Sequence, residues 1–267
     1  MTETSLPVQE LDYGPRGLVR VFTDVDALAL GAADAFAAIT SAAVATRSRA
    51  YVALSGGSTP KRMGELLAIP PFRDRVPWES LEVFWGDERW VPEESPEGNA
   101  GVAKRTFLDH VPIPPSRINP FPTTVLDPET AATMYATQLR TVFGQTDGVP
   151  RFDLVLLGMG DDGHTASLFP GTAAIHEMEA LAVAHVVPKL GAVRLTLTPP
   201  VLNAGREVIF LIGGAEKAET LAEVLEGPEK VDELPSQVIR PTDGRLTWLV
   251  DRAAAARLTP FAGSVGG

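Results

Sequence analysis

The chain contains no cysteine and only four histidines among its 267 residues. The first absence excludes disulfide scaffolds, thiolate zinc sites, iron–sulfur clusters and cysteine nucleophiles together. Positive charge is also scarce, since 23 Lys and Arg face 34 Asp and Glu, for a formal charge of −11. Such a field repels nucleic acid and anionic membranes, and no compact Lys/Arg block offsets it along the sequence, so neither partner is expected. An anionic ligand would have to be met by local charges and backbone dipoles. No apolar run approaches the roughly 20 residues that span a bilayer. The N-terminal stretch MTETSLPVQELDYGPRG lacks the basic and then apolar pattern of a secretory leader. The expected address is the cytoplasm.

What remains is ordinary globular composition, 45% hydrophobic and 21% charged. With no repeat, low-complexity tract or dividing linker, residues 1–267 read as a single domain with a compact core over about 17–258, behind a loose leader to about residue 16. LVRVF (18–22) alternates as a strand, and an Ala-rich helix follows over 24 to about 47 with Asp24 as its N-cap. AYVAL (50–54) is a second strand and 60–68 a helix with proline in its first turn. Residues 81–92 read as a third strand running into a charged loop, and 99–108 and 128–143 as helices. The continuous apolar start of FDLVLLGMGDDGHTASLFPG (152–171) is the pattern of a strand buried on both faces. Further strands are predicted at 181–187, 194–198, 208–212 and 246–250, with a helix at 216–226. Strands alternating with helices predict an α/β fold: a doubly wound, mainly parallel Rossmann-like sheet with helices on both faces.

In such sheets ligands bind beyond the carboxyl ends of the strands, where three loaded stretches lie. Ser55-Gly56-Gly57-Ser58-Thr59-Pro60 combines two glycines, hydroxyl donors and a helix start, which makes a phosphate cradle without a Walker lysine. A plain hydroxyl-capped turn is the alternative. Gly86-Asp87-Glu88-Arg89 puts an acid beside a guanidinium, a proton acceptor and an anion clamp, or else a solvated charged loop. Gly158-Met159-Gly160-Asp161-Asp162-Gly163-His164 formally matches G-x-G-x-x-G, but two aspartates would face a pyrophosphate, so a dinucleotide is not expected. His164 in this loop is a candidate general base, against the alternative of a capped surface imidazole. His110, His176 and His185 form no ligand spacing and read as structural or exposed. Asp161 and Asp162 offer too few oxygens for Mg²⁺, so no metal is expected.

SGGSTP, GDERWVP and GMGDDGHTASLFPG, in this order and spacing, together resemble the glucosamine-6-phosphate isomerase/6-phosphogluconolactonase family. The resemblance continues through VPKLGAVRLTLT (186–198), GGAEKA (213–218) and TWLVDRAAA (247–255). It implies a Rossmann-like fold and hydrolysis of 6-phosphogluconolactone in the pentose phosphate pathway, without a cofactor. Within the family, deaminases carry a Tyr where this chain has Arg89, and an Ile-Ala-Phe-Asn-Glu-like stretch where it has Thr165 to Phe169; both differences point to the lactonase branch. Gly98 precedes Asn99 where many lactonases have Ser-Asn.

A δ-lactone needs a positioned water, a base and an oxyanion site. On this reading His164 is the base, Asp162 its orienter, and Asp87 the next carboxylate in line. Phosphate is expected at Ser55, Gly56, Gly57, Ser58 and Thr59, with Lys217 and Arg89 as charge partners and Lys189 and Arg194 behind them. Gly160 is expected among the substrate-binding residues, and backbone N–H groups of the glycine loops, not singled out by the sequence, are expected to face the oxyanion. Two other readings stay open: a glucosamine-6-phosphate deaminase/isomerase-like enzyme, and a sugar-phosphate-binding effector domain without catalysis, against which the missing helix-turn-helix and the charge both count.

Overall fold

The computed structural model describes residues 6–92 and 95–259. Its strands are β1 (Gln9–Asp12), β2 (Leu18–Phe22), β3 (Ala50–Leu54), β4 (Leu81–Trp85), β5 (Asp87–Arg89), β6 (Leu154–Leu157), β7 (Ala182–Val187), β8 (Ala192–Leu197), β9 (Glu207–Ile212) and β10 (Arg245–Asp251). Its helices are α1 (Val25–Arg47), α2 (Ser58–Leu67), α3 (Phe72–Arg75), α4 (Asn99–Thr106), α5 (Pro128–Phe143), α6 (Pro199–Asn203), α7 (Ala218–Glu226) and α8 (Arg252–Ala255).

Seven strands form one sheet in the order β1-β2-β10-β9-β6-β3-β4, parallel throughout except for β1. This is the predicted doubly wound α/β arrangement. Alternation along β3 and β4 sends Tyr51 and Phe84 to one face, where Tyr135 and Phe143 of α5 and Phe152 pack on them. On the other face lie α1 and α2, with Phe36, Trp78 and Phe107 clustered beside them. Asp24 caps α1 as expected, its carboxylate accepting the Ala27 N–H at 2.8 Å.

Four expectations need correction. The leader is not loose to residue 16: β1 pairs antiparallel with β2 from Gln9↔Val21 to Asp12↔Leu18, and residues 14–16 form a short turn of helix; residues 1–5 lie outside the described part. Helix α2 begins at Ser58, two residues before the predicted start. The charged loop after β4 is a strand, because β5 turns away from the main sheet and pairs antiparallel with β8, which pairs with β7. This second, three-stranded sheet was hidden in the sequence, since β7 and β8 look like any other strands. Finally, α1 is long and apolar enough to cross a membrane by length and composition. Its apolar side, including Leu28, Ala32, Phe36 and Ala43, is instead buried in the core.

The chain leaves β3 toward β4 and leaves β6 in the opposite direction, toward β9 and β10. The connections therefore diverge between the neighbours β3 and β6, and a crevice opens beyond their carboxyl ends. The loops 55–57 and 158–163 leave from those two ends.

Candidate active site

The crevice is a cavity of about 340 Å³ lined by Ser55 to Pro60, Asp87, Arg89, Asn99, Gly158 to Gly160, His164, Ala166, Leu211 to Gly213, Glu216 and Lys217. Small-ligand sites start at roughly this size. A second cavity of about 350 Å³ adjoins it, shares Asp87, Arg89, His164 and Ala166, and adds Asp162, Ser167, Lys189 and Arg194.

The first wall is a helix start. Gly57 holds φ at +112° immediately before α2, a conformation that favours glycine, and no side chain caps the helix. The first helical hydrogen bond runs from Lys61 N–H to the Gly57 carbonyl, so the N–H groups of Ser58 and Thr59 have no partner within the helix. With the partial positive charge of the helix end they form a ready anion site. Lys217, at the end of the turn before α7, lines the same cavity.

Strand β5 supplies the second wall. Its two-residue period places Asp87 and Arg89 on the cavity side and turns Glu88 inward. Glu88, 3% exposed, accepts N–H bonds from Arg89 and Asn99 on Oε1 (2.8 and 2.6 Å) and from Ala100 on Oε2 (2.8 Å). Burial pushes its pKa up, and those three N–H bonds oppose the rise. Glu88 thereby caps α4, whose own N-cap residue, Gly98, has no side chain to do so. Asp87 accepts the Ser167 hydroxyl at 2.7 Å and the Asn99 side-chain amide at 3.2 Å. The Arg89 guanidinium donates to the Glu97 carbonyl at 2.5 Å.

The third wall is the loop after β6. The His164 Nδ1 lies 2.5 Å from Asp162 Oδ1, and the ring stacks on Phe169 at 4.0 Å between centroids. A carboxylate at Nδ1 fixes the neutral tautomer with its proton there, leaving Nε2 as the proton acceptor. Gly160 must be glycine, because a Cβ would stand 2.1 Å from the His164 ring nitrogen. Asp162 Oδ2 accepts a bond from Lys189 Nζ at 2.8 Å. Burial raises the Asp162 pKa, but the Lys189 ammonium and the His164 ring and backbone N–H outweigh it and bring the value to about 2.

The structure thus brings Ser55, Gly56, Gly57, Ser58, Thr59, Asp87, Arg89, Gly160, His164 and Lys217 to one cavity, with Asp162 behind His164. Lys189 and Arg194 line the adjoining cavity and not the one at turn 55–57. Lys189 is drawn to Asp162, and Arg194 sits directly across the strand pair from Arg89, where burial and then the Arg89 charge depress its pKa. His110 and His176 are exposed, as expected. His185 is half-buried and touches the site: its Nε2 donates to the Ser167 carbonyl at 2.7 Å, and burial keeps its pKa low. Sequence reading missed Asn99, Ser167 and Ala166, the last at φ +47°. A Ser or Asn without charge or a distinctive spacing gives no signal until its partner is known. Among the described residues, no group of three or more His, Asp or Glu side chains converges as a metal site.

Residues 23–248 match the model of the family of glucosamine-6-phosphate isomerases/6-phosphogluconolactonase. The chain belongs to this family. Its relatives in the glucosamine-6-phosphate isomerase/6-phosphogluconolactonase family include the 6-phosphogluconolactonase of Synechocystis sp., 44% identical over 219 residues, covering 82% of this chain and 88% of that one. The Nostoc sp. 6-phosphogluconolactonase is 41% identical over 244 residues, 90% and 98% of the two chains. Among solved structures of the family, the 6-phosphogluconolactonase from Trypanosoma cruzi superposes with a TM-score of 0.80 at 29% identity, over 94% of this chain and 99% of that one. A monomeric glucosamine-6-phosphate deaminase shares the fold, with a TM-score of 0.73 at 21% identity over 90% and 99%.

Proposed function

We propose that the protein hydrolyses 6-phospho-D-glucono-1,5-lactone to 6-phosphogluconate, the ring-opening step of the oxidative pentose phosphate pathway, as a cytoplasmic enzyme without a cofactor. One observation carries this reading: an imidazole with a free Nε2, backed by a carboxylate, faces a helix N-terminus and a lysine across one cavity. The relatives named as lactonases, at 41–44% identity over most of both chains, support the same reaction class.

In the mechanism the substrate phosphate sits on the N–H groups of Ser58 and Thr59, with Ser55, Gly56 and Gly57 beneath it and Lys217 and Arg89 as counter-charges. This end fixes C1 of the lactone near His164. Nε2 takes a proton from a water as its oxygen bonds to C1, and the carbonyl oxygen becomes an oxyanion facing the glycine-loop N–H groups. Asp162 stabilises the imidazolium so formed. The intermediate collapses by breaking the bond from C1 to the ring oxygen, which takes the proton back from Nε2. Lactone plus water gives the hydroxy acid, with no electron transfer. Asp87 could serve the proton transfers of an isomerase, but it is aimed at the Ser167 hydroxyl and the Asn99 amide, which favours a supporting role.

The test is a continuous assay of freshly prepared 6-phosphogluconolactone, corrected for spontaneous hydrolysis, run beside glucosamine 6-phosphate. Acceleration of the first alone is expected. Turnover of the amine with no acceleration of lactone opening would replace this reading with the isomerase one, and binding without turnover of either with the effector one.

A further inference from the structure

Lys189 looks like a phosphate ligand in the sequence, yet the structure turns it elsewhere. It sits at the tip of the β7–β8 hairpin, between Pro188 and Leu190, with its side chain 63% exposed. Its ammonium reaches the carboxylate behind the catalytic imidazole and not the cavity that holds the glycine loop. Asp162 is therefore shared: Oδ1 serves His164 and Oδ2 serves Lys189.

We propose that Lys189 is a positioning residue that clamps Asp162 from the hairpin tip and, by neutralising part of its charge, keeps His164 unprotonated and competent as a base to lower pH. The inference rests on the lactonase reading above for its catalytic meaning. The physical argument has two parts. A carboxylate with one oxygen on an imidazole can rotate away from it, and a second charge-assisted bond on the other oxygen fixes the plane. A bare carboxylate would also favour the imidazolium strongly, because an opposite charge within hydrogen-bond distance stabilises the charged form. An ammonium on the far oxygen offsets part of that pull. The raised pKa of Lys189, caused by its bond to Asp162, and the low one of Asp162 agree on the sharing.

Stability gives Lys189 little to do, since exposed ion pairs contribute almost nothing to folding. A structural role and a tuning role therefore predict different results. The other charged groups around His164 are Asp161 on its own loop, Asp87 and Arg89 of β5, Arg194 of β8, and Glu216 and Lys217 before α7. All of them are unchanged in a Lys189 variant.

The experiment compares wild type, Lys189→Met and Lys189→Arg by the pH profile of kcat/KM for 6-phosphogluconolactone, by KM, by Tm, and by NMR titration of the His164 ring, assigned through its loss in His164→Asn. For Lys189→Met the acid limb and the ring titration should move to higher pH by about half a unit, the size expected of one unit charge a carboxylate away and partly screened by water. KM should stay within about twofold and Tm should not move, because the ligand contacts and the fold do not use this ammonium. Lys189→Arg should hold the wild-type profile. An unmoved acid limb and ring titration would overturn the proposal, and a tenfold rise in KM beside them would make Lys189 a phosphate ligand after all. The ring titration needs no turnover. It tests the clamp even if the wild-type protein proves inactive on the lactone, a result that would sink only the functional reading.

Discussion

The two glycine-rich turns that face each other across the cavity are built on opposite plans. Turn 55–57 is followed at once by α2 and offers backbone: its donors are the free N–H groups of a helix start, and among the described residues its one side-chain bond is local, Ser55 Oγ to the Gly56 carbonyl. Turn 158–163 has no helix after it and offers a side chain. It is propped from several distant places: Thr220 Oγ1 on the Asp161 carbonyl, Ser236 Oγ and N–H on the Gly163 carbonyl, Lys189 on Asp162, and its own Thr165 Oγ1 on the Gly158 carbonyl. A phosphate can be met by groups that come with the helix itself. An imidazole aimed at one carbon has to be held, and the holding groups come from wherever the fold passes.

Breaking the second turn should cost most. General-base catalysis contributes roughly 10²- to 10⁴-fold, so His164→Ala should lower kcat by about that factor while circular dichroism and Tm stay near wild type. His164→Asn should do little better, because an amide cannot take the proton. The wild-type rate should fall as pH drops, since a protonated base is inactive, while His110→Ala keeps the wild-type rate. Near wild-type turnover by folded His164→Ala would pass the role of base to Asp87.

The first turn is tested through the substrate. Unphosphorylated gluconolactone should show kcat/KM lower by about 100-fold, the loss of two charge-assisted hydrogen bonds of about 1.5 kcal/mol each. Equal use of the two lactones would remove the cradle. Sharpening the contrast further, Ser236→Ala deletes one of the two bonds on the Gly163 carbonyl and should cost about 1 kcal/mol of stability by denaturant titration. It should also lower kcat more than it raises KM, because the prop acts on the turn next to the proposed base, His164; a change confined to KM would argue against that. The smallest effect expected is none: EDTA should leave the rate unchanged, and loss of activity restored by Mg²⁺ would reopen Asp161 and Asp162 as ligands.

Much of this contrast is legible in the sequence, and the limits are instructive. The strands β3 and β6, the helix after SGGSTP, and His164 with Asp162 two residues away all follow from local pattern. The inward turn of Glu88 does not, because the alternation that separates it from Asp87 and Arg89 exists only once β5 is known to pair with β8. Asn99 and Ser167 gain their meaning from Asp87, 12 and 80 residues away. By its charge Lys189 reads as a second-rank phosphate partner, and its bond to Asp162, 27 residues away, becomes visible only in the fold.

The sequence by itself determined the alternation of strands and helices, the cap of α1, the glycine turns and the pairing of His164 with Asp162, because each depends on hydrogen bonds and sterics among residues within a few positions of one another. The tertiary structure alone decided which loops share a cavity, which acid faces it, what props the histidine and where each cation ends. Those outcomes depend on strand order and on pairings across tens of residues, and local spacing carries no record of either.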